Sequence, residues 1–316
     1  MKLAFIGLGA MGKGMAGNLL AKSGAPLTVW NRNAAKCAPF AARGACAAAS
    51  IAEAAEADVI FLSLPDGGVV ERVVCGEDGL WPHLRAGQTI VDTSTCGYGE
   101  TVRLAAALRE RGIDLLDAPV SGMESRAADG TLAVMCGGDE AAFARVRPYL
   151  DCIGTTVRYL GRSGSGQLAK LINQLLFDIN AAALAEILPL SAKMGLDSRT
   201  VGEIVNSGTG RSYASEFFIP RTLGGVFSEG YPLEKAYKDI VSAEELAARE
   251  AIPLPVLDAA AQTYRAALEQ GLGAESKGAM IKVYERLLGV EFRTGSGAEN
   301  DGAAARHGIT SADGKT

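Results

Sequence analysis

Histidine, aromatic side chains and excess positive charge are all scarce in this sequence. Its 316 residues include only two histidines, His83 in a turn-like segment and His307 in a polar tail, and neither setting is typical of a general base. Any acid–base chemistry must therefore use another residue type. The 31 basic residues are outnumbered by 36 acidic ones and form no basic block, so we expect neither nucleic acid nor an anionic membrane as a partner.

Cysteine motifs and uninterrupted apolar runs are also missing. The six cysteines are scattered without a CxxC spacing or a neighbouring histidine, so we expect reduced thiols, no metal site and a cytoplasmic location. The N-terminal apolar run is broken by Gly7 and Gly9, too early for a secretory signal. The longest apolar stretch, 171–190, contains Asp178 and Glu186, which favours a helix of a soluble protein over a membrane span.

The sequence has 48% hydrophobic residues, 39 glycines and 6% aromatic residues. This composition suits an α/β protein better than a β-sandwich. Short apolar runs predict strands at 3–6, 27–30, 59–64, 89–92, 114–117, 132–136 and 156–160. Helical windows fall between them, at 11–23, 50–57, 101–111 and 140–150. Because strands and helices alternate, we predict a mostly parallel, doubly wound sheet with helices on both faces.

A glycine-rich turn follows the first predicted strand and opens a helix. Gly7-Leu-Gly9-Ala-Met-Gly12 has the GxGxxG spacing of a dinucleotide-binding turn in the context that gives this spacing its meaning. The first Gly allows the tight turn, the second lets a pyrophosphate approach, and the third lets helix and strand pack closely. The alternative is a turn without a ligand. We predict cofactor contacts from Gly7, Leu8, Gly9, Ala10, Met11 and Gly12.

The pattern changes after residue 160, where helices follow one another without a convincing strand. A long helix is predicted at 167–194, with further helices at 198–206, 233–250, 254–270 and 276–288. We therefore predict a Rossmann-type NADP-binding domain over 1–162 and an all-α C-terminal domain over 163–292, joined by the long interdomain helix. The Gly- and Ala-rich segment 293–316 is predicted to be a disordered tail.

The residues after the second strand indicate which dinucleotide is bound. A carboxylate there would accept hydrogen bonds from the ribose of NAD. This chain has Asn31, Arg32 and Asn33 instead, and an Arg can pair with a 2′-phosphate. We therefore predict NADP, with NAD as a weaker cofactor. The alternative is a solvated Arg on a loop.

Two more loops follow predicted strands and should line the cofactor crevice at the carboxyl edge of the sheet. Leu64 and Pro65 lie in one, and Thr95 lies in the other. Ordinary strand-to-helix turns with Ser or Thr caps are the alternative.

A substrate site is predicted from two further segments. Ser121 and Gly122, after the strand at 114–117, offer a hydroxyl and backbone N–H groups that suit a carboxylate, although a simple turn would have the same spacing. Lys170 and Asn173 are spaced i and i+3 on the long helix and therefore share a face. Apolar neighbours would desolvate Lys170 and lower its pKa, which suits proton transfer, but a structural lysine is the alternative.

Together these motifs resemble the β-hydroxyacid dehydrogenase family over residues 1–290. GLGAMGKGMAGNL (7–19), DAPVSG (117–122), GQLAKLIN (166–173) and the pair Lys238-Asp239 occur in the order expected of that family. The resemblance implies that Lys170 is the general acid/base, that Ser121, Gly122 and Asn173 hold the substrate, and that Lys238 approaches the cofactor. It also implies a homodimer or homotetramer.

The chain departs from the family pattern in the predicted substrate pocket. Met123 replaces the usual second Gly, and Gln174 replaces the usual second Asn. Arg211 is similar to a residue of hydroxymethylglutarate dehydrogenase-like members and could hold a second carboxylate, or it could be a structural surface Arg. We therefore count Met123, Gln174 and Arg211 among the candidate substrate contacts.

The sequence therefore predicts an oxidoreductase that transfers a hydride between NADP(H) and a small 3-hydroxy acid or its semialdehyde. An imine reductase of the same fold is the enzymatic alternative, although such enzymes generally lack a lysine at the position of Lys170. A non-catalytic NADP-binding module is the alternative of another class.

Overall fold

The computed structural model describes residues 1–294, so the predicted disordered tail lies outside the described residues apart from its first two positions. The chain divides into two compact units, Met1–Ile172 and a second that begins at Asn173. The division lies inside the long helix, whereas the sequence analysis placed a domain boundary at 162/163. Those domain limits stay a prediction.

The first unit is built on a parallel six-stranded sheet of order β3-β2-β1-β4-β5-β6. The doubly wound α/β architecture that was predicted is confirmed, because this order reverses at β1 as in dinucleotide-binding folds. The strands are β1 (Leu3–Ile6), β2 (Leu27–Trp30), β3 (Cys46–Ala47), β4 (Val59–Leu62), β5 (Thr89–Asp92) and β6 (Asp114–Asp117). Strands β1, β4 and β5 are buried along their whole length, as expected for a parallel sheet covered on both faces.

Helices cover both faces of this sheet, and a separate apolar cluster lies on each side. They are α1 (Ala10–Lys22), α2 (Ala38–Ala41), α3 (Ile51–Ala54), α4 (Gly67–Cys75), α5 (Tyr98–Arg109), α6 (Met123–Asp129) and α7 (Glu140–Ile153). The helix predicted at 50–57 is one turn long. Ser50 caps it by accepting the N–H of Glu53, and the Glu53 side chain accepts the N–H of Ala49.

Two of the predicted strands lie outside the main sheet. Strands β7 (Val120–Ser121), β8 (Leu132–Cys136) and β9 (Gly154–Tyr159) form a second, three-stranded sheet in which β7 and β8 are antiparallel. The prediction of a mostly parallel arrangement is confirmed, and the pair β7–β8 is an antiparallel exception to it. The connection between β7 and β8 contains only the seven-residue α6, too short for a crossover, whereas α7 connects the parallel pair β8 and β9.

The second unit is helical throughout its described part. The long helix α8 (Ser165–Lys193) enters it and continues through Pro189. The remaining helices are α9 (Ser198–Ser207), α10 (Tyr213–Leu223), α11 (Leu233–Arg249), α12 (Pro255–Glu269) and α13 (Ile281–Leu288). The sequence analysis missed α10, whose start is capped by Ser212.

Helix α8 also passes a length and composition test for crossing a membrane, with a mean hydropathy of 1.5 over its most apolar window. Core helices of soluble proteins pass the same test, so this is weak evidence. It is the one helix within residues 1–294 to do so.

A buried ion pair lies in the core of the second unit. The ammonium of Lys277 donates to Asp178 of α8, and both side chains are almost fully buried. The same ammonium lies 4.0 Å from the centroid of the Phe177 ring. Because each charge compensates for the desolvation of the other, removal of one partner costs much more than exchange of both.

Two buried carboxyl groups end neighbouring strands of the first unit, since Asp92 of β5 is paired in register with Asp117 of β6. Burial raises the pKa of Asp92 to about 6, although hydrogen bonds from Ser94 and Cys96 oppose this rise. Burial also raises the pKa of Asp117, against the effect of backbone N–H groups.

The variant Lys277→Met should be strongly destabilised, because it leaves the Asp178 carboxylate buried without its ammonium. We expect a loss of about 3–5 kcal/mol in the free energy of unfolding, measured by urea denaturation. The double variant Lys277→Met/Asp178→Leu should recover part of that loss. Equal stability of wild type and Lys277→Met would contradict the role given to the pair.

The variant Asp92→Asn should alter how stability depends on pH. In the wild type the folded state holds the Asp92 proton up to about pH 6, whereas the unfolded state releases it near 3.8. The contribution of Asp92 to stability therefore falls as pH rises from about 4 to 6.5, by about 3 kcal/mol at most. The unfolding free energy of the wild type minus that of Asp92→Asn should be measured by denaturation at several pH values from about 4 to 6.5. This difference should fall by up to about 3 kcal/mol as the pH rises. A constant difference would refute the assignment.

Candidate functional site

The glycine-rich turn between β1 and α1 has the geometry that a dinucleotide requires. Gly7 has φ +100°, and a Cβ there would lie 2.2 Å from the carbonyl oxygen of Ser63. A Cβ at Gly12 would lie 1.9 Å from the carbonyl oxygen of Gly7. The first and third glycines are therefore needed for the turn and for close packing of helix on strand.

Gly9 differs from these two glycines. Its φ is −76°, and a Cβ placed on it would meet nothing within 4 Å. Neither its backbone conformation nor its packing therefore requires a glycine. Gly9 is the N-cap of α1 and provides no side-chain cap to that helix. Open space beside the start of a helix suits a phosphate group, so the residues present fit a dinucleotide.

The residues after β2 partly serve the turn itself. The Asn31 side-chain oxygen accepts the N–H of Leu8 at 2.9 Å, and its amide donates to the Asn33 carbonyl at 3.0 Å. Asn33 in turn caps a 3₁₀ turn through the N–H of Ala35. Arg32 is exposed and extends from the same edge of the sheet. Asn31 therefore holds the glycine-rich turn in place, and the segment after β2 carries the exposed cations Arg32 and Lys36.

The loops after β4 and β5 are linked to each other. The N–H of Leu64 donates to the Ser94 hydroxyl at 2.9 Å, and Ser94 is buried. The predicted contact residues Pro65 and Thr95 are exposed beside them. The sequence analysis selected Thr95 as the cofactor contact in the loop after β5. In the structure it is Ser94 that bonds to the loop after β4.

The predicted substrate segment has an unusual backbone. Gly122 has φ +143° and Met123 has φ +62°, so two successive residues lie at positive φ. Such a turn exposes backbone N–H groups, and it holds a side-chain-bearing residue at a strained position. Ser121 is half-buried and Met123 is 54% exposed.

Helix α6, which follows this segment, packs directly on α1, the helix after the glycine-rich turn. A Cβ at Gly14 would lie 2.6 Å from the carbonyl carbon of Ala127. The buried Asn18 donates its amide N–H groups to the carbonyl oxygens of Ala127 and Ala128. An exposed ion pair, Lys13–Glu124, adds a further contact at 3.2 Å. The starts of α1 and α6 are therefore held at a defined spacing.

Lys170 lies near the start of α8 and is 9% exposed. One turn before it, the backbone N–H of Gln167 donates to the buried Asp117 carboxylate at 3.0 Å. The N–H of Gly164 donates to the other oxygen of Asp117 at 2.7 Å. A carboxylate from the end of β6 thus caps the helix that carries Lys170.

The candidates in the second unit have varied surroundings. Asn173 is exposed and donates to the half-buried Gln174 at 3.5 Å. Arg211 is 64% exposed and lies 3.6 Å from Glu216. Lys238 is exposed on α11.

The first unit therefore brings most of its predicted site residues to one edge of the sheet. The glycine-rich turn, Arg32, Leu64, Thr95 and Ser121 all follow the carboxyl ends of parallel strands. The sequence analysis did not select Ser94, Asp117 or Gln167 as site residues. Their positions within predicted motifs were the only signal, because their partners are distant in sequence.

Two family models match the chain. The NAD binding domain of 6-phosphogluconate dehydrogenase matches residues 2–161, and the NAD-binding region of NADP-dependent 3-hydroxyisobutyrate dehydrogenase matches residues 164–284. Together they cover nearly all of the described chain.

Full-length relatives agree with these matches. The chain is 40% identical to 2-(hydroxymethyl)glutarate dehydrogenase of Eubacterium barkeri, over 93% of this chain and 98% of that protein. It is 34% identical to the NAD-dependent L-serine dehydrogenase of Pseudomonas aeruginosa, over 91% and 99%. The crystal structure of 3-hydroxyisobutyrate dehydrogenase from Salmonella typhimurium has a TM-score of 0.78 and 31% identity, over 90% of this chain and 99% of that one. The chain therefore belongs to the β-hydroxyacid dehydrogenase family and is an oxidoreductase that uses NAD or NADP.

Proposed function

We propose that the protein interconverts a small 3-hydroxy acid and its semialdehyde with NADP(H), and that Lys170 is the general acid/base. One observation carries this proposal. In a chain with two histidines, a lysine that is 9% exposed lies in the first turns of a helix capped from the carboxyl end of β6. An amine held in this way can exchange a proton with a substrate oxygen.

The substrate class is supported by what the relatives' names share. 2-(Hydroxymethyl)glutarate, L-serine and 3-hydroxyisobutyrate each carry a hydroxymethyl group on the carbon next to a carboxylate. We infer that this chain takes a substrate with the same HOCH₂–CH–COO⁻ unit. The group on the central carbon would then distinguish its substrate from theirs.

In this mechanism the protein positions the substrate and moves one proton. The nicotinamide ring, when bound, supplies the hydride chemistry. The Ser121 hydroxyl and the N–H groups around Gly122 bind the carboxylate and so orient the reacting carbon. In reduction, protonated Lys170 stabilises the negative charge that develops on the substrate oxygen and then gives up its proton from Nζ. In oxidation the neutral amine takes the proton from the hydroxyl.

Residues that differ from the family pattern would select the remaining group of the substrate. Asn173 and Gln174 would hydrogen-bond the substrate, and Met123 would limit its size. Arg211, whose Nε lies 3.6 Å from Glu216, would meet a second carboxylate of the substrate through its remaining N–H groups.

We further propose that NADP is preferred over NAD, with Arg32 as the residue that contacts the 2′-phosphate. Its exposure beyond β2 and the absence of a carboxylate among Asn31, Arg32 and Asn33 support this preference. Lys238 would approach the cofactor from α11. A cytoplasmic location and a homodimer or homotetramer complete the proposal.

The variant Lys170→Ala should lose turnover and keep cofactor binding. We expect kcat to fall by about 10²–10⁴-fold, since proton transfer by a positioned side chain contributes that much. Rates should be measured with NADPH on a panel of semialdehydes and cyclic imines and with NADP⁺ on 3-hydroxy acids, and NADPH affinity by fluorescence titration. Lys235→Ala, at an exposed lysine of α11, is the control.

Near-normal rates of Lys170→Ala would refute the role of Lys170. Faster turnover of cyclic imines than of semialdehydes by the wild type would favour an imine reductase. Cofactor binding without turnover of any compound would favour a binding module.

The variant Arg32→Ala should weaken discrimination between the two cofactors. Loss of the guanidinium should raise KM for NADPH by about tenfold or more and leave KM for NADH nearly unchanged. Steady-state kinetics with both cofactors measure this, with the exposed Arg158→Ala of β9 as control. An unchanged NADPH to NADH ratio would remove Arg32 from the cofactor site.

A further inference from the structure

Gln167 connects the start of α8 to a hydrogen-bonded network that includes the ends of three strands. The Gln167 amide donates to the Ser94 carbonyl at 2.8 Å, and its side-chain oxygen accepts the N–H of Cys96 at 3.1 Å. Its own backbone N–H donates to Asp117. Ser94 in turn accepts the N–H of Leu64, so the loops after β4, β5 and β6 belong to one hydrogen-bonded network.

The side chains at the centre of this network are shielded from water. Gln167 is 2% exposed, Ser94 3% and Asp117 0%. A buried network of satisfied polar groups holds its members in one arrangement, because breaking any bond leaves an uncompensated donor or acceptor. The loop after β5 therefore cannot shift relative to the first turn of α8 without such a cost.

Gln167 and Lys170 are separated by three residues of the same helix, and therefore by a rise of about 4.5 Å with their side chains on neighbouring positions of one face. Any tilt or rotation of the first turn is passed directly to Lys170. A misplacement of about 1 Å at a reacting group can reduce a rate about a hundredfold.

We propose that Gln167 is a positioning residue, which fixes the first turn of α8 against the loop after β5 and thereby sets where the Lys170 ammonium is presented. This inference rests on the proposed function of Lys170. Gln167 touches neither substrate nor cofactor in this role. It acts through the placement of the amine.

The chain contains a matched control at the opposite edge of the same sheet. Gln88 lies just before the amino end of β5 and is also 2% exposed. Its amide donates to the carbonyl oxygens of Ala55 and Ala57, and its side-chain oxygen accepts the N–H of Arg85. The two glutamines thus have the same burial and the same use of the side chain, but only Gln167 lies near Lys170 in the helix.

The test compares Gln167→Met with Gln88→Met. Both variants should lose stability, since each leaves buried partners unsatisfied. In Gln167→Met, kcat per folded enzyme should fall by about 10- to 100-fold, while the KM for NADPH changes by less than about threefold. The solvent deuterium isotope effect on kcat should rise, because proton transfer from a misplaced amine becomes slower than the other steps. Gln88→Met should keep the wild-type kcat and isotope effect.

A second variant keeps the test valid if Gln167→Met does not fold. In Gln167→Glu a carboxyl oxygen replaces the amide nitrogen that donates to the Ser94 carbonyl. This hydrogen bond can therefore form only when the carboxyl is protonated. Its kcat relative to wild type should rise as pH falls from about 8 to 5.5, since burial raises the pKa of such a group. The titratable groups of the network around this position are Asp92, Cys96, Asp117 and, on the same helix, Lys170. Gln88→Glu should show no such pH dependence of relative kcat.

The outcomes separate this inference from the proposed function. If Lys170→Ala abolishes turnover but folded Gln167→Met keeps the wild-type kcat and isotope effect, the positioning role is wrong and the proposed function stands. If Lys170→Ala keeps turnover, the proposed function fails whatever Gln167→Met does. A loss of kcat that is as large in Gln88→Met as in Gln167→Met would also overturn the positioning role.

Discussion

The geometry of the candidate site depends on one buried carboxylate. Asp117, at the end of β6, accepts the N–H groups of Gly164 and Gln167 and thereby fixes where α8 begins. Hydrogen bonds to charged groups are each worth about 1.5–3 kcal/mol, and a negative charge at a helix start adds a favourable interaction with the helix dipole. Burial raises the pKa of the Asp117 carboxyl, and the N–H groups that it accepts oppose this rise without cancelling it.

The local parts of this architecture could be predicted from sequence. The glycine-rich turn and the capped α3 depend on residues within a few positions of each other, and the parallel sheet follows from alternating apolar runs. The roles of Asn31 and Gln167 could not be predicted, because their partners Leu8, Ser94 and Cys96 are 23 to 73 residues away. A side chain that serves a distant loop leaves no periodic pattern.

The errors in the fold have physical causes of the same kind. The connection between β7 and β8 holds only the short α6, which cannot form the crossover of a parallel pair, so these two strands are antiparallel. Helix α10 was missed because Pro220 and flanking glycines resemble a loop. Its Ser212 cap and the stacking of Phe218 on Phe177 of α8 stabilise it as a helix.

The packing of α6 on α1 links the two turns that precede these helices. Gly14 allows the helices to approach, and Asn18 joins them at the carbonyl end of α6. In the proposed function the turn before α1 binds the pyrophosphate and the turn before α6 binds the carboxylate. A bulky side chain at Gly14 would meet the backbone of Ala127 and push the helices apart, so a single substitution far from the substrate would disturb the binding of both anions.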